Sequence, residues 1–239
     1  LKLTKYNFYL RKETMLNKKQ WLFVGLFSLL GLLALQVPLT HLSGSKATFT
    51  LFDAFGPIAT GFIGTLPGLL AVLLMQLANF VLHGAKVLDA GTIIRFFPML
   101  FAALYFGRNS KLNFIIPALA IVAFNLNPIG RSAWVYSMYW LIPIACYFLY
   151  QNSLLARSLG ATFTAHAVGG AMWVWAFNLP KTAWLALIPV TAIERGVFAL
   201  GIAATYVVMN NILNFLVQKK FVKYEGLVNQ KYVFKWKPA

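Results

Sequence analysis

The chain has 239 residues, of which 60% are hydrophobic and 11% are charged, and its mean hydropathy is +0.71. A water-soluble domain of this size cannot bury so much apolar surface, which indicates a polytopic helical membrane protein. The formal net charge of +16 could suit a nucleic-acid-binding protein, but the basic residues are concentrated in the two tails. That pattern is typical of the cytoplasmic side of a membrane protein, so no nucleic-acid partner is expected.

The two ends of the chain differ in composition from its centre. Residues 1–19 and 218–239 are rich in lysine, whereas residues 20–217 are dominated by apolar runs. The sequence therefore predicts a helical membrane domain at 20–217 between two basic cytoplasmic segments. The second basic segment mixes lysines with aromatic rings, so we expect it to lie on anionic membrane lipid.

The first residues are not typical of a natural start. The chain opens with Leu1, whereas Met15 precedes Leu-Asn-Lys-Lys and then an apolar run. We interpret residues 1–14 as an extension from an upstream start. The apolar run lacks a small-x-small cleavage site, which favours an uncleaved first helix over a signal peptide.

Eight stretches are predicted to be membrane segments, given that about 20 helical residues cross a bilayer. In chain order they are Gln20–Pro38, Asp53–Gly64, Pro67–His83, Ala90–Phe106, Leu112–Leu126, Ser132–Tyr150, Ser153–Phe177 and Thr182–Leu216. The last segment is long, so we expect its end to project into the cytoplasm. The predicted fold class is thus an all-α polytopic membrane protein.

The stretch from Asp53 to His83 is divided into two segments because of its length and composition. As a single helix it would be too long to cross untilted, and it contains Pro57 and Pro67. The glycines and the proline of residues 64–68 predict a tight turn between two helices. Because lipid cannot satisfy bare backbone groups, we expect this turn in water or inside protein.

The distribution of positive charge supports an even number of segments. With eight segments and the N-terminus inside, fifteen lysines and arginines fall on the inner side and four on the outer side. This asymmetry is the one expected of membrane proteins. Both termini are therefore predicted to be cytoplasmic, in a multi-pass protein of the cell membrane.

Polar side chains within the predicted segments collect in the outer half of the bundle and near its midplane. Ionisable groups inside a bilayer are costly, so each needs a partner or a function. The outer set is Gln76, Asn79, His83, Arg95, Asn125, Asn127, Arg131, Trp134, Tyr136, Trp173, Trp175, Asn178 and Trp184, and the midplane set is His166, Glu194 and Arg195. Amides, rings and a few charges are the mixture expected of a small-molecule pocket.

Structural roles compete with that interpretation. Outer tryptophans and tyrosines usually form an interfacial aromatic belt. Asn125 and Asn127 could cap a helix, and His166 could be a hydrogen-bonding residue between helices. Glu194 and Arg195 are harder to assign to packing, because adjacent helical side chains point about 100° apart and each needs its own partner.

Signatures of catalysis and of metal binding are missing from the sequence. There is no HExxH, GxSxG or phosphate-binding loop, and the single cysteine, Cys146, lies in an apolar run. We therefore expect no metal, no cofactor and no enzymatic activity. One enzymatic hypothesis stays open, namely an intramembrane enzyme that uses His166 and Glu194 as a proton relay.

Four motifs occur in a recognisable order. They are FTLFD at 49–53, QLANFVLHG at 76–84, FGRN at 106–109 and IPVTAIERG at 188–196. In this order they resemble the substrate-binding S-components of energy-coupling-factor vitamin transporters, particularly the riboflavin-type members. The resemblance covers about Leu22–Leu112 and Ala161–Lys220, and it implies a six-helix core with Asn113–Tyr150 as an additional hairpin.

The resemblance implies an importer subunit that has no ATPase of its own. Such a subunit captures a vitamin-like small molecule at its outer face and releases it inward through a transmembrane coupling subunit and ATPase subunits. The ligand set carried over by position, together with the polar residues near the midplane, is Asp53, Gln76, Asn79, Arg95, His166, Trp173 and Glu194. Arg95 would suit a carboxylate or phosphate, and Trp173 would suit a flat heterocycle.

A different class of protein fits the same residues. In this alternative the chain is a non-transporting integral membrane subunit of a larger assembly, and its amides and Glu194 bind neighbouring chains. Stabilisation by a water-soluble vitamin would separate the two hypotheses, because only the importer subunit is expected to respond.

Overall fold

The structure is a computed structural model that describes residues 18–41, 48–82, 89–220 and 228–234. Its helices are α1 (Lys18–Leu35), α2 (Phe52–Phe55), α3 (Ala59–Ile63), α4 (Thr65–Leu82), α5 (Ala90–Gly107), α6 (Leu112–Leu126), α7 (Pro128–Ser132), α8 (Trp134–Ser137), α9 (Leu141–Leu149), α10 (Leu154–Ala176) and α11 (Lys181–Gln218). Short 3₁₀ turns occupy Gly56–Ile58, Met138–Trp140 and Gln230–Tyr232. The helical fold class is confirmed, with one unpredicted addition: β1 (Pro38–His41) and β2 (Thr48–Thr50) pair as an antiparallel hairpin.

Among the described residues, three helices are long and apolar enough to cross a membrane by length and composition, namely α4, α5 and α11. Throughout the bundle, large leucine, isoleucine and valine side chains stay exposed on the outer faces of the helices. A wide exposed apolar surface is compatible with contact to lipid or to other membrane chains.

Local signals set the ends of the long helices. Asp89 caps α5 by accepting a hydrogen bond from the backbone N–H of Thr92 at 2.7 Å, and this bond lowers the pKa of Asp89. Ser153 caps α10 in the same way, through the N–H of Ala156. The helices predicted over α5, α6, α10 and α11 are confirmed to within two residues at each end.

The predicted turn between the second and third segments is confirmed at Gly64. This residue has a φ of +95°, a backbone conformation that residues other than glycine rarely adopt, and it separates α3 from α4. The two helices then pack closely, since a Cβ atom on Gly68 would lie 2.5 Å from the backbone of Thr60. The break therefore follows from local backbone geometry that the sequence specifies.

The sixth predicted segment, Ser132–Tyr150, is helical over Trp134–Leu149, with a 3₁₀ turn at Met138–Trp140 that the sequence did not predict. The chain runs through the end of α7, then α8, a 3₁₀ turn and α9. Asn127 ends α6 and caps α7, accepting hydrogen bonds from two N–H groups of its first turn. The 3₁₀ turn includes Trp140 and follows Tyr136 closely, and the rings of both residues are buried in the bundle.

Buried side chains form two clusters. The larger one is formed by α1, α2, α3, α4 and α5 with side chains of α10 and α11, and the smaller one lies among α6, α8, α10 and α11. Their large members include Phe27, Phe55, Met75 and Phe106 in the first cluster, and Phe124, Tyr136, Trp140 and Trp184 in the second. Helix α10 contributes to both, because it packs against α5, α6, α9 and α11.

The described part of the C-terminal tail folds back onto α11. Asn210 accepts a hydrogen bond from the N–H of Asn229 at 2.7 Å and donates to its C=O at 3.0 Å. Asn211 accepts from the N–H of Phe234 at 2.8 Å and donates to the C=O of Tyr232 at 2.9 Å. The tail is thereby held against the end of the bundle at which α11 stops.

Candidate functional site

Two pairs of polar residues meet across the interface of α10 and α11. Thr162 and His166 lie four residues apart on α10, and Thr191 and Arg195 lie four residues apart on α11. Residues with this spacing occupy the same face of a helix, one turn apart. Arg195 contacts Thr162, and Tyr136 bridges His166 and Thr191. The interface therefore contains two polar layers, one helical turn apart.

The first layer is the Arg195 cluster, which we define as Asp53, Thr162, Glu194 and Arg195. Arg195 is only 5% exposed, so its guanidinium lies inside the bundle. Its Nη1 donates to Oγ1 of Thr162 at 3.4 Å, and its Nη2 lies 3.7 Å from Oε2 of Glu194. Asp53 also lies within electrostatic range of the guanidinium. Both separations are longer than a fully formed charge-assisted hydrogen bond, which spans about 2.7–2.9 Å.

The β-hairpin and α2 bring distant parts of the chain to this layer. Oδ2 of Asp53 accepts a hydrogen bond from the N–H of Thr50 at 2.9 Å, which ties the end of β2 to the start of α2. Phe49 on β2 and Phe198 on α11 flank the Arg195 guanidinium, with ring centroids 4.7 and 4.8 Å from its central carbon. The cation therefore lies against two aromatic faces.

The hydrogen-bonding capacity of Arg195 is not used up. A guanidinium offers five N–H donors, and the two contacts above engage only two of them, at long distances. Among the described residues, the buried Nε of Arg195 has no hydrogen-bond partner. A buried donor left in this way costs roughly 1–3 kcal/mol. The guanidinium can therefore serve a further acceptor.

The second layer is the His166 network, which we define as Tyr136, Trp140, His166 and Thr191. The indole N–H of Trp140 donates to Nδ1 of His166 at 3.0 Å. Because an indole N–H can only donate, Nδ1 carries no proton, and the proton of the neutral ring sits on Nε2. Nε2 donates it to the Tyr136 hydroxyl at 2.8 Å, and that hydroxyl lies 3.3 Å from Oγ1 of Thr191. Both ring nitrogens of His166 are thus occupied.

Close packing against α10 holds the His166 network in place. A Cβ atom on Gly170 would lie 2.7 Å from the ring of Trp140, so the absence of a side chain lets the indole reach His166 one turn away. The Tyr136 ring lies 5.4 Å from the His166 ring and 5.1 Å from that of Trp184, centroid to centroid. His166 therefore links α10 to the broken α8–α9 stretch.

Three further predicted site residues lie on α4 and α5, each with a different neighbour. Gln76 donates to a backbone C=O of α5 at 3.2 Å. Asn79 accepts a hydrogen bond from Nε2 of Gln36 at 3.2 Å, which links α4 to the end of α1. Arg95 is exposed and lies within electrostatic range of Asp89. These side chains connect helices or face outward.

Trp173 lies towards the end of α10. Its ring centroid is 4.3 Å from that of Phe177, and both rings approach Gly91 at the start of α5. Trp173 thus belongs to the same end of the bundle as Arg95. His83, which the sequence groups with Gln76 and Asn79, falls outside the described residues.

The seven predicted site residues therefore divide into two sets. One set converges on the α10–α11 interface, and the other occupies the ends of α4, α5 and α10. The first set is Asp53, His166 and Glu194, and the second is Gln76, Asn79, Arg95 and Trp173.

No protein-family model, curated protein or solved structure matches the chain. Functional assignment consequently depends on the geometry of the two layers. Within the described ranges, no three His, Cys, Asp or Glu side chains come together in a way that could hold a metal ion.

Arg195 is noted in the sequence but is not predicted as a ligand residue, and Thr162 is not predicted at all. Phe49 and Thr191 lie within two of the recognised motifs but are not predicted individually. One usable signal is present in the sequence. Two apolar helices each carry a threonine and an ionisable residue four positions apart, which predicts two polar layers once the helices pair. The contribution of Phe49 depends on the hairpin and has no local signal.

The two layers differ in what they can do chemically. The Arg195 cluster offers unused N–H donors, two carboxylates and a threonine hydroxyl in an apolar setting, which are the components of a site for a small polar molecule. A proton relay to Glu194 would need a ring nitrogen of His166. Both of these nitrogens are hydrogen-bonded to aromatic side chains instead.

Proposed function

We propose that the chain is the substrate-binding membrane subunit of an energy-coupling-factor type importer, which captures a vitamin-like small molecule at the outer face of the cell membrane. The observation that carries the proposal is the Arg195 cluster, in which a guanidinium with unused donors is buried beside two carboxylates and two phenyl rings. Such a group is costly inside an apolar bundle unless partners complete its coordination. A bound solute is the partner that this function supplies.

The proposal includes an eight-segment topology with both termini in the cytoplasm. Helices α4, α5 and α11 have the length and composition of membrane spans. Fifteen of the lysines and arginines fall on the inner side under this topology, against four on the outer side. The unit of α2 and α3 serves as a short segment, and the α8–α9 stretch serves as a broken one.

In the proposed cycle the solute enters from the outer face, past the β-hairpin, and reaches the Arg195 cluster. The motif resemblance implies that a transmembrane coupling subunit and ATPase subunits then drive release to the cytoplasm. The connection of Asp53 to Thr50 at 2.9 Å supports a role for the hairpin, because any movement of β2 is passed directly to a carboxylate of the cluster.

Thermal unfolding of the purified, detergent-solubilised chain tests the proposal. A panel of water-soluble vitamins is added, and a true ligand should raise the Tm by an amount that grows with its concentration. The same ligand should lose its effect in Arg195→Lys, since a lysine cannot reproduce the forked donors, and keep it in the matched surface variant Arg108→Lys. No stabilisation by any member of the panel would contradict the proposal.

A second candidate is a non-transporting subunit of a larger membrane assembly. An apolar groove of about 360 Å³ between α4 and α5, lined by leucines and phenylalanines such as Leu69, Phe97 and Leu100, favours it because a neighbouring helix could occupy that groove. Mild-detergent purification separates the two functions. Stable co-purification with membrane chains but no ATPases, together with an unresponsive Tm, supports the second candidate.

A further inference from the structure

Acidic side chains are rare in this protein, and two of them meet at one place. The chain has 5 aspartates and glutamates against 21 lysines and arginines. The partly buried Glu194 nevertheless places its Oε2 3.7 Å from Nη2 of Arg195, and the partly buried Asp53 lies on α2, which packs against α11 within electrostatic range of the same guanidinium. With all three groups ionised, the cluster holds two carboxylates for one guanidinium and has one negative charge in excess.

An excess charge inside an apolar bundle is unfavourable, because burial removes the water that would solvate it. The nearest part of the His166 network supplies no compensating cation, since the Trp140 bond keeps the His166 ring neutral. Thr162 and Thr191 are uncharged. Among the described residues around the cluster, the positive charge of Arg195 therefore has to serve both carboxylates.

From this arrangement we infer that the solute of the Arg195 cluster carries a positively charged nitrogen rather than a carboxylate or phosphate. The inference rests on the proposed function and names its substrate class. The positive nitrogen pairs with Asp53 and Glu194, which restores charge balance. An acceptor atom on the same solute, such as a carbonyl or hydroxyl oxygen, takes the unused N–H donors of Arg195.

The same charges disfavour an anionic solute. A carboxylate or phosphate bound by Arg195 would lie beside Glu194, whose Oε2 is 3.7 Å from Nη2, and would add a like charge to a site that already has one in excess. Arg95, which the sequence suggests for an anion, is exposed beside Asp89 instead. Within the described part of the chain, anion recognition thus lacks a fully buried cation that is free of carboxylates.

The first test needs no knowledge of the ligand. If the cluster carries an unbalanced negative charge, Glu194→Gln should raise the Tm of the ligand-free protein, since it removes one carboxylate charge and keeps the shape of the side chain. Asp53→Asn provides a second neutralisation in case either variant folds poorly. Arg108→Gln, at an exposed arginine, is the matched control and should leave the Tm unchanged. Unchanged or lower Tm values in both cluster variants would overturn the inference.

The second test compares solutes of different charge at neutral pH. Thiamine and 1-methylnicotinamide are the cationic probes, riboflavin and nicotinamide the neutral ones, and pantothenate and nicotinate the anionic ones. Stabilisation is expected from a cationic probe, with an affinity at least tenfold weaker in Glu194→Gln and unchanged in Arg108→Gln. Binding by neutral or anionic probes alone would overturn the inference and leave the proposed function standing. Binding by none of them would count against both.

Discussion

The two polar layers between α10 and α11 are built on the same helices, one turn apart, yet they are completed to very different degrees. In the His166 network each ring nitrogen has a partner, at 2.8 and 3.0 Å. In the Arg195 cluster the two contacts of the guanidinium measure 3.4 and 3.7 Å, and Nε has no partner among the described residues. A closed buried network fixes the packing of helices, whereas an open one keeps donors available for a ligand.

The difference arises from what each layer faces. The His166 network faces the broken stretch of α8 and α9, which supplies Tyr136 and Trp140 as hydrogen-bonding rings. The Arg195 cluster faces the hairpin and α2, which supply the carboxylate of Asp53 and the ring of Phe49. The protein thus combines a structural layer with a layer suited to binding, and substitutions should separate the two.

The largest effect is expected for Arg195→Met. The variant leaves the partly buried carboxylates of Asp53 and Glu194 without their buried cation, which should destabilise the protein by about 3 kcal/mol. Thermal unfolding in detergent measures the loss. The control Arg108→Met, at an exposed position, should stay within about 0.5 kcal/mol of the native protein. Native-like stability of Arg195→Met would mean that the cluster is not a charged, buried unit.

The next largest effect is expected for His166→Leu. The substitution removes the acceptor of the buried Trp140 N–H and the donor to Tyr136, so stability should fall by about 2–3 kcal/mol. Ligand affinity should stay within a factor of three of native, because the proposed binding site is the other layer. If His166→Leu lost as much ligand affinity as Arg195→Lys, the two layers would have to form a single binding site.

Gly170→Ala tests the packing that supports the closed layer. The added Cβ would lie 2.7 Å from the Trp140 ring, so we expect a loss of about 1–2 kcal/mol from forced displacement of the indole. Gly196→Ala is the matched control on α11, where a Cβ would meet no atom within 4 Å. That variant should gain up to about 1 kcal/mol from improved helix propensity. Equal effects of the two substitutions would contradict the close approach of Trp140 to α10.

The smallest effect is expected for Arg95→Ala. Its side chain is exposed on α5, so stability should change by no more than about 0.5 kcal/mol. Ligand affinity should fall less than in Glu194→Gln, since Arg95 lies on α5 near Asp89 rather than in the cluster. Titration of both variants with the same ligand provides the comparison. A larger loss of affinity in Arg95→Ala than in Glu194→Gln would indicate that the ligand binds at the ends of α4 and α5.

The sequence by itself determined the helical architecture wherever the signals are local. A carboxylate or hydroxyl starts α5 and α10, as Asp89 and Ser153 demonstrate, and the positive φ of Gly64 separates α3 from α4. Such signals act within a few residues, so they can be interpreted without knowledge of the fold. The 3₁₀ turn at Met138–Trp140 inside the sixth segment has no such local signal and was not predicted.

Only the tertiary structure decided which polar residues meet. Asp53 and Arg195, or Tyr136 and His166, are far apart in the chain and come together because of how α2, the broken α8–α9 stretch, α10 and α11 pack. The pattern of polar residues on each helix limits the layers that can form, but it does not name the partners. Hydrogen bonds and ion pairs act over a few ångströms in space, so their formation depends on the positions of whole helices rather than on neighbouring sequence.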